Sequence, residues 1–174
     1  KKIIPFGLLI TIVSMLSAFA PLSIDMYLPA MSQMVATLNT TPGHIQATVS
    51  AFFLGLAIGQ IFHGPLADHF GRKPVLLGGI AIFLLATLGC IFAPNVETLI
   101  AMRFLQAVGG SAGMLVARAI VSDLFDRTEM ARTLSLMMMI TVLAPICAPL
   151  IGGVIITQMH WQSIFMVVLG FGFL

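Results

Sequence analysis

Residues 64–75 read Gly-Pro-Leu-Ala-Asp-His-Phe-Gly-Arg-Lys-Pro-Val, a charged stretch set between two long apolar ones. Asp68, Arg72 and Lys73 belong to a set of only fourteen formally charged side chains, eight Lys and Arg plus six Asp and Glu. The twenty residues on either side of the stretch carry none. Charge concentrated in so short a break marks a turn at a membrane surface.

The rest of the chain has the same apolar character. Of its 174 residues 59% are hydrophobic and 8% charged, where an ordinary globular domain has roughly a quarter charged. Its mean hydropathy is +1.10. The expected fold is all-α and integral to the bilayer, with each helix needing about 20 apolar residues to cross a core of roughly 30 Å. The net charge of +2 is scattered, without a basic stripe, which argues against a nucleic-acid partner.

Six spans are expected, at residues 5–28, 44–67, 74–92, 96–123, 133–157 and 161–174. Lys1 and Lys2 before the first imitate a signal peptide, but the apolar run continues without a convincing cleavage site. Pro21 and Pro29 cannot donate to the carbonyl four residues earlier, so the outer half of the first span should bend. Residues 31–43 read as a polar connection, and Pro74 as the first residue of the third span. In the second span Ala47, Ala51, Gly55, Gly59 and His63 recur every four residues, a small stripe that lets a neighbouring helix approach. A second charged connection is expected at residues 126–132, and Trp161 as an interfacial anchor. The last span would extend only about 21 Å as a helix, short of the core thickness. The sequence is therefore expected to be the N-terminal part of a longer chain, with its sixth span incomplete.

Six of the eight basic residues lie in alternate connections: Lys1 and Lys2, Arg72 and Lys73, Arg127 and Arg132. The intervening connections hold none, which places the N-terminus and both charged connections in the cytoplasm.

Two ionisable residues are embedded, Asp25 in the first span and Arg103 in the fourth, each on the order of 10 Å below the outer surface at 1.5 Å per residue. A lone charge in hydrocarbon costs at least about 2.5–3.5 kcal/mol, so such groups face a wet cavity or a partner. Asp25 could load and release protons if burial and a nearby arginine pull its charge in opposite directions; it could also sit hydrated at the outer interface. Arg103 could face a cavity or pair with a polar neighbour such as Gln106. Arg118 reads as a residue whose stem snorkels to the headgroups, and His63 and His69 as interfacial or hydrogen-bonded histidines. Cys90 and Cys147 read as small buried hydrophobes. His44 and His160 lie in different outer turns with no third ligand, so no metal site is expected. Neither a phosphate loop nor a nucleophile with its base is evident, so no cofactor and no enzymatic activity are expected. The twelve methionines, Met114 among them, suit adaptable packing and apolar ligands.

Gly64-Pro65-Leu66-Ala67-Asp68-His69-Phe70-Gly71-Arg72-Lys73-Pro74 closely resembles the loop signature of the major facilitator superfamily, with His69 in place of the usual Arg. Arg103-Phe104-Leu105-Gln106-Ala107-Val108-Gly109 resembles its fourth-helix signature, with Ala107 in place of Gly. Residues 144–153, with Pro145, Ala148, Pro149, Gly152 and Gly153, resemble the fifth-helix packing motif of its drug antiporters. Ser23-Ile24-Asp25-Met26-Tyr27-Leu28-Pro29 looks like the first-helix motif of the bicyclomycin-resistance (Bcr/CflA) group of drug:proton antiporters.

The resemblance implies an N-terminal six-helix bundle of two three-helix repeats, the C-terminal half being absent. It implies proton coupling at Asp25 and Arg103, and a substrate cavity near Asp25, Tyr27, Gln106 and Met114. It also implies a cytoplasmic latch of Gly64, Asp68, Gly71, Arg72, Lys73 and Asp123, with Asp68 touching Arg72 and Asp123. The expected whole is a monomeric, proton-coupled multidrug exporter of the bacterial inner membrane, with drugs, protons and the lipid bilayer as partners. A proton-coupled nutrient importer of the same fold and a non-transporting membrane scaffold remain as alternatives.

Overall fold

The computed structural model describes residues 6–125 and 127–173. Lys1, Lys2, Pro5, Asp126 and Leu174, which entered the expectations above, lie outside them. Among the described residues the chain forms seven α-helices: α1 Phe6–Asp25, α2 Met31–Thr37, α3 Pro42–Phe70, α4 Arg72–Ile91, α5 Val96–Leu124, α6 Arg127–Gln158 and α7 Gln162–Phe173. Five helical stretches are long and apolar enough to cross a membrane, and α7 is a shorter apolar helix.

The first span does not end where expected. After Asp25 the backbone tightens, with Tyr27 N–H bonded to Ile24 O at 3.1 Å and Ala30 N–H to Tyr27 O at 3.0 Å, into a 3-10 turn at Leu28–Ala30. The chain then continues as α2 through most of what was expected to be a polar connection. Met31, Met34, Val35 and Leu38 follow helical spacing, Met34 is fully buried, and the other three pack on the same core. The polar residues between them hid that stripe.

Residues 64–75 are not an extended turn either. α3 runs through Pro65, Asp68 and His69 to Phe70, and α4 begins at Arg72, so Gly71 alone separates them. Gly71 has φ +87°, a conformation glycine adopts without the Cβ penalty. Pro74 is the third residue of α4 rather than the first. The first-turn N–H groups have no intrahelical partner to lose, which is why proline is tolerated there. At the other charged connection α6 starts at Arg127 and absorbs residues 127–132. The starts of α3 and α5 are capped: Thr41 Oγ1 accepts from His44 N–H at 3.3 Å, and Asn95 Oδ1 accepts from Thr98 N–H at 2.8 Å.

α5 is the central post. Small residues bring three neighbours close to it: Gly55 and Gly59 of α3 lie against Phe104, Val108 and Ser111, Gly79 of α4 against Gly109 and Ala112, and Leu16 of α1 against Gly113. A Cβ on Gly109 would sit 2.5 Å from Phe83 N and 2.6 Å from Gly79 O, so backbone meets backbone there. Of the expected α3 stripe, Gly55, Gly59 and His63 are buried, while Ala47 and Ala51 are half-buried.

α6 packs beside α1 with Ala148 fully buried and Gly152 against Met26 O. A Cβ on Gly153 would have nothing within 4 Å and Pro145 is exposed, so these two of the five expected motif residues are not packed in as Ala148 and Gly152 are. Trp161 is 1% exposed, edge-on to Phe165 at 6.0 Å, and is a core residue rather than an interfacial anchor. Its pairing with Phe165, Ile164 and the buried end of α1 outweighs the pull of its indole toward headgroups. Cys90 is buried as expected, but Cys147 is exposed on α6, on a cavity wall shared with α1.

Candidate functional site

The two embedded charges have different surroundings. Arg103 is fully buried on α5. Its Nη1 donates to Gln106 Oε1 at 2.7 Å and to the Ser23 carbonyl on α1 at 3.3 Å. Gln106 in turn donates through Nε2 to Thr87 Oγ1 at 2.8 Å, and Thr87 donates to Phe83 O at 2.6 Å, so the chain of bonds ends on the α4 backbone. The guanidinium carbon stands 4.2 Å from the Phe52 ring centre, 4.5 Å from Tyr27 and 5.7 Å from Phe165. A desolvated cation over an aromatic face gains about 2 kcal/mol or more. Nε and Nη2 of Arg103 have no hydrogen-bond partner among the described residues. The aromatic faces thus supply much of the stabilisation that water would give elsewhere.

Tyr27 is held in place within this cluster. Thr48 Oγ1 donates to Ile45 O at 2.6 Å, so at 2.5 Å it accepts the Tyr27 hydroxyl proton. Tyr27 and Gln106, expected to line a substrate cavity, are both wholly buried and flank Arg103.

Asp25 is the last residue of α1 and partly exposed. Among the described residues it forms no ion pair, and Arg103 does not reach it. It opens on a cavity of about 300 Å³ whose other walls are apolar, including Ile24, Phe53, Leu56 and Met114. Met114 also lines two further cavities toward the other end of α5, of about 440 Å³ and 80 Å³, both of which include Arg118. One face of α5 therefore carries a groove with Asp25 at one end, Met114 in the middle and Arg118 at the other.

At the far end of α3 and α5, Arg72 pairs with Asp123. Asp68, expected to join them, is exposed and has no ion-pair partner among the described residues. It rides on the last turn of α3, whereas Gly71 starts a new helix that aims Arg72 at α5. Lys73 is exposed and Gly64 half-buried. His63 is a hydrogen-bonded histidine, as expected: its Nδ1 is 2.9 Å from Ser111 Oγ, and because Ser111 donates to Val108 O at 2.7 Å, the imidazole is the donor.

A bundle organised on α5, with a buried arginine on it and a one-glycine link between α3 and α4, agrees with the family resemblance of its motifs. Residues 8–174 match the sequence profile of the Major Facilitator Superfamily. The chain belongs to that superfamily. It is 41% identical over 165 residues to the uncharacterized MFS-type transporter YdgK of Bacillus subtilis (strain 168), covering 94% of this chain and 41% of that protein. To the bicyclomycin resistance protein homolog of Haemophilus influenzae it is 37% identical over 153 residues, covering 88% of this chain and 38% of the relative. To multidrug resistance protein D of Escherichia coli (strain K12) it is 34% identical over 161 residues, covering 92% of this chain and 41% of the relative. The chain thus spans about two fifths of the length of these major facilitator relatives. It is a multi-pass membrane chain of a transporter family.

Sequence reasoning missed Ser23, Thr87, Thr48, Phe52 and Phe165 as partners in the arginine cluster. Serine and threonine in a membrane helix commonly satisfy themselves on a carbonyl one turn back, so an embedded hydroxyl carries little signal.

Proposed function

We propose that this chain is the N-terminal bundle of a proton-coupled exporter of small, largely apolar drugs in a bacterial inner membrane, with its N-terminus in the cytoplasm. The observation that carries the reading is Asp25: a carboxyl on an otherwise apolar cavity, with no cation paired to it among the described residues. Such a group can hold a proton or face a bound drug, and the two states compete for one space. The names of the multidrug and bicyclomycin resistance relatives support drugs as cargo.

Arg103 has a distinct part in this proposal. Its charge is held rigidly behind the cavity by Gln106, Ser23 and three rings, so it shapes the field at the α1 bend without exchanging partners. Alternating access would rock this bundle as a unit against a second one in a monomeric transporter. The Arg72–Asp123 pair would tie the cytoplasmic ends of α4 and α5 during that motion.

The test is Asp25→Asn in the full-length protein reconstituted into proteoliposomes. Export driven by an imposed pH gradient should stop, while drug binding in detergent persists. Undiminished gradient-driven export by Asp25→Asn would remove the proton role from this residue.

A further inference from the structure

Arg118 is left over once the site above is accounted for. It lies within a candidate span, roughly 9 Å before the end of α5 at 1.5 Å per residue. Its side chain is exposed and has no ion-pair or hydrogen-bond partner among the described residues. It forms a wall of the cavity of about 440 Å³, together with Gln60 of α3 and Met114, Leu115, Ala119 and Ser122 of α5. The cavity offers a fixed cation, two neutral hydrogen-bonding groups and an apolar floor. It adjoins the Asp25 cavity through Met114, and the two differ in the sign of the charge each carries.

Resting on the exporter reading, we propose that Arg118, with Gln60 and Ser122, forms a subsite for the acidic group of an amphiphilic small molecule whose apolar body lies along Met114 and Leu115. Guanidinium is suited to this because its planar N–H groups match a carboxylate in pairs. The amide of Gln60 and the hydroxyl of Ser122 complete the hydration that the anion leaves behind. The groove then sorts cargo by charge: acids toward Arg118, proton exchange at Asp25. Neutral drugs use the apolar middle without either end.

The probes are pyrenebutyrate and its neutral isostere pyrenebutyramide, which share one apolar body. Binding is followed by pyrene fluorescence on the full-length protein in neutral detergent. Arg118→Gln should weaken pyrenebutyrate about tenfold or more, the size of a lost charge-assisted bond, and leave pyrenebutyramide within about twofold. Arg118→Lys should recover part of the loss, and Gln60→Leu should weaken the acid by about threefold. Equal weakening of both probes, or no change in either, would overturn the subsite. Displacement of pyrenebutyrate by added phosphatidylglycerol at equal concentration would assign Arg118 to a lipid headgroup and overturn it also. Because binding is read without a pH gradient, a failure of proton-driven export leaves this result standing, and the converse holds for pyrenebutyramide export by Arg118→Gln.

Discussion

α5 carries two arginines roughly 22 Å apart along its axis, at 1.5 Å per residue, and they live in opposite circumstances. Arg103 is sealed between aromatic rings and bonded to Gln106 and the α1 backbone, whereas Arg118 stands open in a cavity without a partner among the described residues. At the closed end three helices and α7 converge on one cation, so the charge serves the packing. At the open end Gln60 of α3 and one face of α5 line a cavity, so the charge remains available. A membrane charge is thus not one kind of object. Its use depends on whether the neighbouring helices close over it.

The most severe way to break this contrast is to remove each cation. Arg103→Ala should cost about 3–5 kcal/mol, because it leaves a cavity and strands Gln106 and the Ser23 carbonyl. Arg118→Ala should cost within about 0.5 kcal/mol, as for an exposed site. Reversible unfolding of the full-length protein in SDS would measure both, and equal losses would erase the distinction.

A smaller effect sharpens the reason the closed end is closed. Gly109→Ala should destabilise by about 1–3 kcal/mol, because its new methyl meets the backbone of Gly79 and Phe83. Gly153→Ala, with nothing within 4 Å, should be neutral or gain up to about 1 kcal/mol from helix propensity. Similar losses in the same SDS titration would mean that close approach at α4–α5 is not what holds the post.

The least effect belongs to the end of the bundle where Arg72 pairs with Asp123. Arg72→Ala and Asp123→Ala should each cost only about 0.2–1 kcal/mol, and the double variant no more than either. Exchanging the two residues should restore the wild-type distribution between inward-open and outward-open forms in spin-label distance measurements. An exchange that behaves like the single variants would show that the pair has other partners.

Much of the fold was legible from the chain alone, and the misreadings share a cause. The span expected at 96–123 lies on α5, which runs from Val96, after the Asn95 cap, to Leu124. Residues 64–75 were read as a turn because charge and proline stand there. Charge at a membrane surface does not require the helix to stop, and Pro65 and Pro74 are both housed within helices. α2 was missed because Ser32, Gln33 and Thr37 outweigh its four apolar positions in a hydropathy count, although spacing would have revealed them. Trp161 was sent to the interface by residue type, but a short turn between α6 and α7 folds it inward.

The site divides in the same manner. Asp25, Arg103 and Arg118 announce themselves because an ionisable side chain in an apolar run is costly wherever it ends up. Their partners do not. Ser23 meets Arg103 across 80 positions of sequence, and Phe52 and Phe165 reach it from α3 and α7. By itself the sequence determined the all-helical, apolar character of the chain, the alternation of basic connections and the identity of the embedded charges, since the bilayer enforces each of these locally. Only the tertiary structure decided that Arg103 is closed in and that Asp25 and Arg118 share a groove. Those outcomes depend on which helices the small residues of α5 allow to approach, and that is a property of neighbours rather than of any one segment.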